Sequence, residues 1–267
     1  MDCKIIKFIL FLILPINAFA TEFQGNFKQG SFILGKTDPG SKVYIDTRKI
    51  RVTNEGFFAF GLDRDRKNDV TIKIQKDSKF ETIKKKVLKR EYKIQKIDGL
   101  PSKQVTPPPE VYERIKKDNK LIGEARSLDT AYDFFKDKFI YPIEKYVITG
   151  VYGSQRILNG KPRSPHYGID FHAPEGTPVK AMMDGEVTLA ENDMYFTGGT
   201  IIFDHGHGIS TLFMHMKDIN VKVGQRVKKG EIVGTLGQSG RATGPHLDIR
   251  LNWFNVKLDP ATILNLN

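Results

Sequence analysis

Cysteine is almost absent from this chain: among 267 residues there is one, Cys3. It precedes the apolar leader, so a processed chain carries no cysteine and no disulfide, and Cys3 cannot serve as a lipoprotein cysteine. At this length a core can be buried without cross-links. Histidine is missing from the first 165 residues; all six (His166, His172, His205, His207, His215 and His246) come later. Imidazole chemistry is therefore confined to the C-terminal part of the chain. Long apolar runs are missing too. The unbroken stretch from Phe8 to Leu14 is too short to span a membrane. No nucleic-acid motif is present, and the lysines from Lys84 to Arg90 read as a solvated strand face.

The N-terminus carries Lys4 and Lys7, then the apolar run, then Ala18-Phe19-Ala20, a small-x-small cleavage site. This is the pattern of a cleavable signal peptide over residues 1–20, which places the mature chain in the periplasm or outside the cell. Formal net charge is +11; the leader takes two lysines and one aspartate with it and leaves +10. A basic exported protein suits an anionic partner such as a cell-wall polymer.

Residues 21–95 show short period-two runs separated by turns. Asp69-Val70-Thr71-Ile72-Lys73-Ile74-Gln75 is the clearest, and Asp38-Pro39-Gly40 and Asn54-Glu55-Gly56 are turns. The pattern predicts a small β-sandwich and resembles bacterial Ig-like modules. Residues 96–142 read as a proline-rich linker followed by helices. Pro107-Pro108-Pro109 favours extended chain. Apolar residues from Val111 to Phe135 recur at helical spacing, with Gly123 and Ser127 marking a break into two helices. From residue 143 to 267 glycine-containing turns separate short β-branched stretches such as Thr200-Ile201-Ile202-Phe203. This predicts a compact antiparallel β domain and a mainly β chain overall.

Within that domain, Ser164-Pro165-His166-Tyr167-Gly168-Ile169-Asp170 sets a histidine and an aspartate four apart. In a straight strand they would lie roughly 13 Å from each other. Two ligands of one zinc ion must each come within about 2 Å of it. The segment must bend if it binds metal, and Gly168 permits the bend.

Several motifs follow in order: Gly153-Ser154-Gln155-Arg156, His166-Tyr167-Gly168-Ile169-Asp170, Phe213-Met214-His215-Met216, Val221 to Gly234, and Gly237 to Leu247. Together they resemble the LytM/lysostaphin-type zinc metallopeptidase domain over about residues 143–262. The resemblance implies one Zn2+ per chain held by His166, Asp170 and a third residue, with His215 and His246 acting beside it on a peptide bond of peptidoglycan. At the third position the family has histidine and this chain has Asp248. A carboxylate is a legitimate zinc ligand. Three readings stay open. Asp248 completes the site; His246 swings in instead; or the domain is an inactive LytM-like regulator that activates a cell-wall amidase. A simple wall-anchoring protein is a further alternative. His172 is read as a packed polar residue, His205 and His207 as hairpin-turn residues, and Asn159 to Arg163 as a basic loop for an acidic peptide stem. Tyr195 to Gly199 is read as groove lining and Trp253 as core or groove wall. The helical region is a candidate cover for the groove.

Overall fold

The computed structural model describes residues 20–99 and 105–264. All but the last residue of the expected leader (residues 1–20), residues 100–104 of the expected proline-rich linker and residues 265–267 lie outside the described residues. Among the described residues, no helix is long and apolar enough to cross a membrane.

The N-terminal part forms two small antiparallel sheets. One joins Glu22–Gln24, Phe32–Lys36 and Phe57–Gly61; the other runs Arg48–Ile50, Lys42–Ile45, Val70–Lys76, Lys79–Lys85. The predicted alternation is realised in Val70, Ile72 and Ile74, which are buried while Thr71, Lys73 and Gln75 face outward. Phe58 packs over Gly35, where an added Cβ would meet its ring at 2.2 Å.

The C-terminal part is organised on a large sheet. Its main path runs Arg226–Val227, Gly185–Met194, Gly198–Gly206, Ile209–Ile219, Leu247–Trp253, Ile169–His172, Val147–Gly150. Leu247, Ile249 and Leu251 point into the main core, so Asp248, Arg250 and Asn252 point to the opposite face.

The middle of the chain departs from its sequence pattern in two places. The strand Ile94–Ile97 pairs in parallel with Gln155–Leu158. Residues 94–97, across the start of the expected linker at 96, thus belong to a small three-stranded sheet with Gln155–Leu158 and Lys161–Pro162. Secondly, one helix forms where two were expected. Tyr112–Arg126 runs through Gly123, and only the 3-10 turn Phe134–Lys136 follows. The burial of Leu121, Ile122 and Ala125 against Leu189, Met194, Ile202 and Leu212 outweighs the roughly 1 kcal/mol helix cost of the glycine. Leu212 stands opposite Arg250 in register. The helix thus lies on the same sheet face as Asp248 and flanks that face without covering it.

The two parts share a continuous hydrophobic cluster. Trp253 sits in it, with its ring 6.5 Å from Phe60 and 5.7 Å from Phe254. It is core, not groove wall. Arg90 reaches from the N-terminal part to the buried Asp259, and Gly61 gives room to Leu258. Trp253→Ala is expected to cost about 3–5 kcal/mol. The two parts should also unfold in one transition, checked by urea denaturation followed by far-UV circular dichroism.

Candidate metal centre

His166 lies just before the strand Ile169–His172, and the chain bends at Gly168 between them. Its backbone N–H donates to the Ser154 carbonyl (2.8 Å), and its own carbonyl accepts from Gly153 N–H (2.7 Å). The buried ring directs Nδ1 to the Val151 carbonyl at 3.3 Å. A carbonyl only accepts, so Nδ1 carries a proton, and in the neutral ring the Nε2 lone pair is directed inward.

Asp170 pairs directly with Asp248 across the antiparallel ladder. Both are buried. His166 Nε2 lies 3.0 Å from Asp170 Oδ1 and 3.4 Å from Asp248 Oδ2. The first contact is too poorly aligned to be a hydrogen bond, and Nε2 and Asp170 Oδ1 are both buried without a hydrogen-bond partner. One ligand atom from each of the three residues falls within a 4.8 Å span. Like charges opposite each other in a sheet are destabilising. Cations offset them. Arg156 lies 3.5 Å from Asp170, and Arg250, on the same strand face as Asp248, lies 3.0 Å from it.

Two glycines make the space. An added Cβ at Gly150 would meet Asp170 Oδ2 at 2.1 Å, and one at Gly168 would meet Asp248 Oδ1 at 2.2 Å. Gly168 therefore supplies both the bend and the clearance.

The other imidazoles are set by one loop. His215 Nδ1 donates to the Ser239 carbonyl (2.8 Å), His246 Nδ1 to Gly244 (2.8 Å) and His172 Nδ1 to Pro245 (2.7 Å). In each ring the Nε2 lone pair is left for the cavity. The His215 and His246 rings are 4.6 Å apart. His215 adopts φ 64°, unusual for a non-glycine residue and costly by roughly 1–3 kcal/mol. Its N–H is held by the Thr197 carbonyl. Burial, and secondarily His246, push the His215 imidazole down to about 4 against the opposing pull of Asp248, so it is neutral at physiological pH.

A cavity of about 320 Å³ opens beside these groups, lined in part by Arg156, Asp170, His172, His215, Arg241, His246 and Asp248. The strand Ile94–Ile97 contributes Gln95 to its rim.

Residues 164–260 match the model of Peptidase family M23. Residues 164–260 thus form a Peptidase M23 domain. The M23 match begins just before His166 and takes in His215, His246 and Asp248. The chain is similar to peptidoglycan DD-endopeptidase ShyA of Vibrio cholerae, 38% identical over 113 residues, covering 42% of this chain and 26% of that protein. It is similar to cell division protein DipM of Caulobacter vibrioides, 31% identical over 168 residues, covering 60% of this chain and 26% of that protein. The chain thus spans about a quarter of each of these longer relatives. A Pseudomonas aeruginosa structure described as a peptidase M23 superposes with a TM-score of 0.71 at 23% identity, over 90% of this chain and 96% of the other, and shares the fold.

The M23 site's donor set fits a divalent metal. It has one neutral imidazole nitrogen, two carboxylates, unpartnered donors and glycine clearance around both acids. Arg250 offsets the negative charge that Asp248 adds relative to a histidine at that position. His246 lies outside the converging group.

Other sequence expectations sort as follows. His172 is exposed and lines the cavity; it is not a packed polar residue. His205 is buried between the Asp184 carbonyl and Thr211 Oγ1, and burial pushes it down to about 4. His207 turns at φ 52° with its ring 4.7 Å from Phe135. These two have structural partners. Arg163, expected to meet a peptide stem, holds the Val105 carbonyl and Thr106. Arg156, Arg241, Arg250 and Gly150 did not emerge as site residues from spacing. The only available signal was that residues 246, 248 and 250 share one strand face.

In the metal-free chain burial presses the His166 imidazolium down, but Asp248 and Asp170 outweigh it and push the group up to about 9. A raised folded-state value means the proton stabilises the metal-free fold below about pH 6.5, and that contribution is lost as pH rises through about 9. A metal needs the neutral ring, so uptake near neutrality should release this proton. Apparent Zn2+ affinity should rise about tenfold from pH 7 to pH 8, measured by isothermal titration. Gly168→Ala and Gly150→Ala should each weaken that affinity by about 10–100-fold by displacing a carboxylate, measured by competition with a zinc-sensitive dye.

Proposed function

We propose that this chain is an exported zinc metalloendopeptidase that hydrolyses peptide cross-links of peptidoglycan. The observation carrying the reading is the convergence of His166 Nε2 with the Asp170 and Asp248 carboxylates beside two carbonyl-anchored imidazoles. The M23 match and the similarity to a DD-endopeptidase support it. The signal-peptide pattern and the basic charge fit a wall substrate outside the cytoplasm.

His166, Asp170 and Asp248 hold the ion. When bound, zinc supplies a water acidified toward neutrality and a Lewis acid for the scissile carbonyl. His215, neutral and with Nε2 open to the cavity, accepts the proton of the attacking water and returns it to the leaving amine. His246 flanks the same space and assists this transfer. Asp248 remains ionised. Burial alone would raise Asp248, but Arg250 and His166 more than offset it and hold it well below the usual carboxylate range.

The regulator reading draws on Asp248 standing where the resemblance implies histidine, and on the similarity to DipM. Against it stands the intact convergence of three donors, which a non-catalytic domain has no need to keep. Digestion of purified cross-linked peptidoglycan by the zinc-loaded chain, read by mass spectrometry, separates the two. The proposal expects cross-linked dimers to fall and monomers to rise. His166→Ala should abolish this, and His215→Ala should slow it by about 10²–10⁴-fold with the fold retained. Unchanged peptidoglycan from a folded, zinc-loaded chain would favour the regulator.

A further inference from the structure

A second cavity, of about 670 Å³, opens at the seam between the two parts of the chain. Its wall is made by residues 41–42 and 49–55 of the N-terminal part, by the segment from Asp129 to Asp133, and by the hairpin residue His207. None of its lining residues lines the cavity beside the metal ligands. His207 precedes the strand Ile209–Ile219, and His215 lies well along it, so the two sites sit roughly 20 Å apart along that strand.

Two polar side chains in the wall are incomplete. Ser41 and His207 are only 6% and 5% exposed, and Ser41 Oγ and His207 Nδ1 are buried without a hydrogen-bond partner. His207 packs its ring on Phe135, which leaves Nδ1 unanswered. Buried polar atoms are normally paired, so this wall lacks partners that a ligand can supply. Burial pushes the His207 imidazole down to about 4, so near pH 7 it offers a neutral ring and not a charge.

Charge is divided across the same wall. Lys49 stands opposite Tyr44 in register, so Lys42 and Lys49 project from one face of adjacent strands. Both are exposed, and neither forms an ion pair among the described residues. Arg51 is paired with Asp129 at 2.8 Å. Glu55 and Asp133 share one ammonium, that of Lys136, at 2.9 and 2.7 Å. The wall thus carries two uncompensated cations, and elsewhere two carboxylates with a single neutralising charge between them. A purely anionic ligand would meet the carboxylates unfavourably, and a purely cationic one the lysines.

We propose that this seam cavity is a second binding site, whose ligand is a short zwitterionic peptide. Its carboxylate meets Lys42 and Lys49, its ammonium meets Glu55 and Asp133, and its amide groups pair with Ser41 Oγ and His207 Nδ1. An amide carries both a donor and an acceptor, which suits a hydroxyl and a neutral imidazole nitrogen in either tautomer. The ionic contacts are charge-assisted hydrogen bonds, the stronger kind. The cavity's volume is in the range of small-ligand sites. The assignment does not depend on the hydrolase reading of the metal centre.

Isothermal titration of the full-length zinc-loaded chain with trialanine, N-acetyl-trialanine and trialanine amide tests it. Trialanine with both termini free should bind at least tenfold more tightly than either blocked form. Lys42→Gln combined with Lys49→Gln should remove the advantage of the free carboxylate over the amide and keep that of the free amine over the acetyl group. Glu55→Gln, which leaves Lys136 to Asp133 alone, should do the reverse. Ser41→Ala should weaken all three peptides severalfold. The lysines and Glu55 are exposed, so these variants should keep the far-UV circular dichroism of the parent chain. No binding of trialanine at millimolar concentration, equal affinities for the three peptides, or a carboxylate preference that survives the double lysine change would overturn the site. Tighter binding of glucuronate than of trialanine would overturn its assignment to a peptide.

Discussion

Two buried carboxylates stand directly opposite each other in one antiparallel ladder, and much of the C-terminal part answers that pairing. Asp170 and Asp248 repel. Nearby positive groups make the register tenable: Arg250 on the same strand face as Asp248, Arg156 beside Asp170, and the His166 ring whose Nε2 faces both. Gly150 and Gly168 withdraw side-chain bulk from the carboxylates, so their oxygens converge on common space. The result is a rigid, charged, partly unsatisfied cluster that a divalent cation would complete. Removing one partner of such a cluster strands the others, which makes it costly to alter piecemeal.

A second constraint is the loop from Ser239 to Pro245. Three of its carbonyls take the Nδ1 protons of three imidazoles, two from distant strands and one, His246, from the residue just past the loop. A carbonyl cannot donate, so one short segment sets three tautomers at once. His215 is held further by its left-handed backbone, a local cost at the position where the ring must face the cavity. Arg241 belongs to the same loop, with its guanidinium 4.3 Å from the Phe196 ring centroid.

The rest of the chain frames this face. The helix Tyr112–Arg126 lies along it on Leu189, Ile202 and Leu212, and the strand Ile94–Ile97 borders the cavity through Gln95. The N-terminal sheets meet the C-terminal part through Phe60, Trp253 and Leu258. The upstream segment thus abuts the site through strand pairing, and the helix serves as a wall of the sheet face.

Local pattern was enough for much of this. Period-two alternation around Val70 to Ile74 specified half-buried strands, because side chains in a strand must alternate sides. The spacing of His166 and Asp170 required a bend, because two ligands cannot share an ion along a straight strand, and Gly168 was the residue able to supply it. The strand pattern around 246–248 placed Asp248 on the face opposite Leu247. What remained required contacts between distant residues. Gly123 was read as a helix break because helix propensity ignores the apolar face that binds it to the sheet. His172 was read as packed because alternation says nothing of what stands opposite. The arginines that neutralise the acids, the glycine at 150 that clears space for Asp170, and the loop carbonyls that set the imidazoles come from segments far apart in sequence. Sequence alone determined where the chain must bend to bring His166 and Asp170 together and which way the strand bearing Asp248 faces. Only the tertiary structure decided which charges meet, because register across a sheet is set by the packing of both partners and not by either strand.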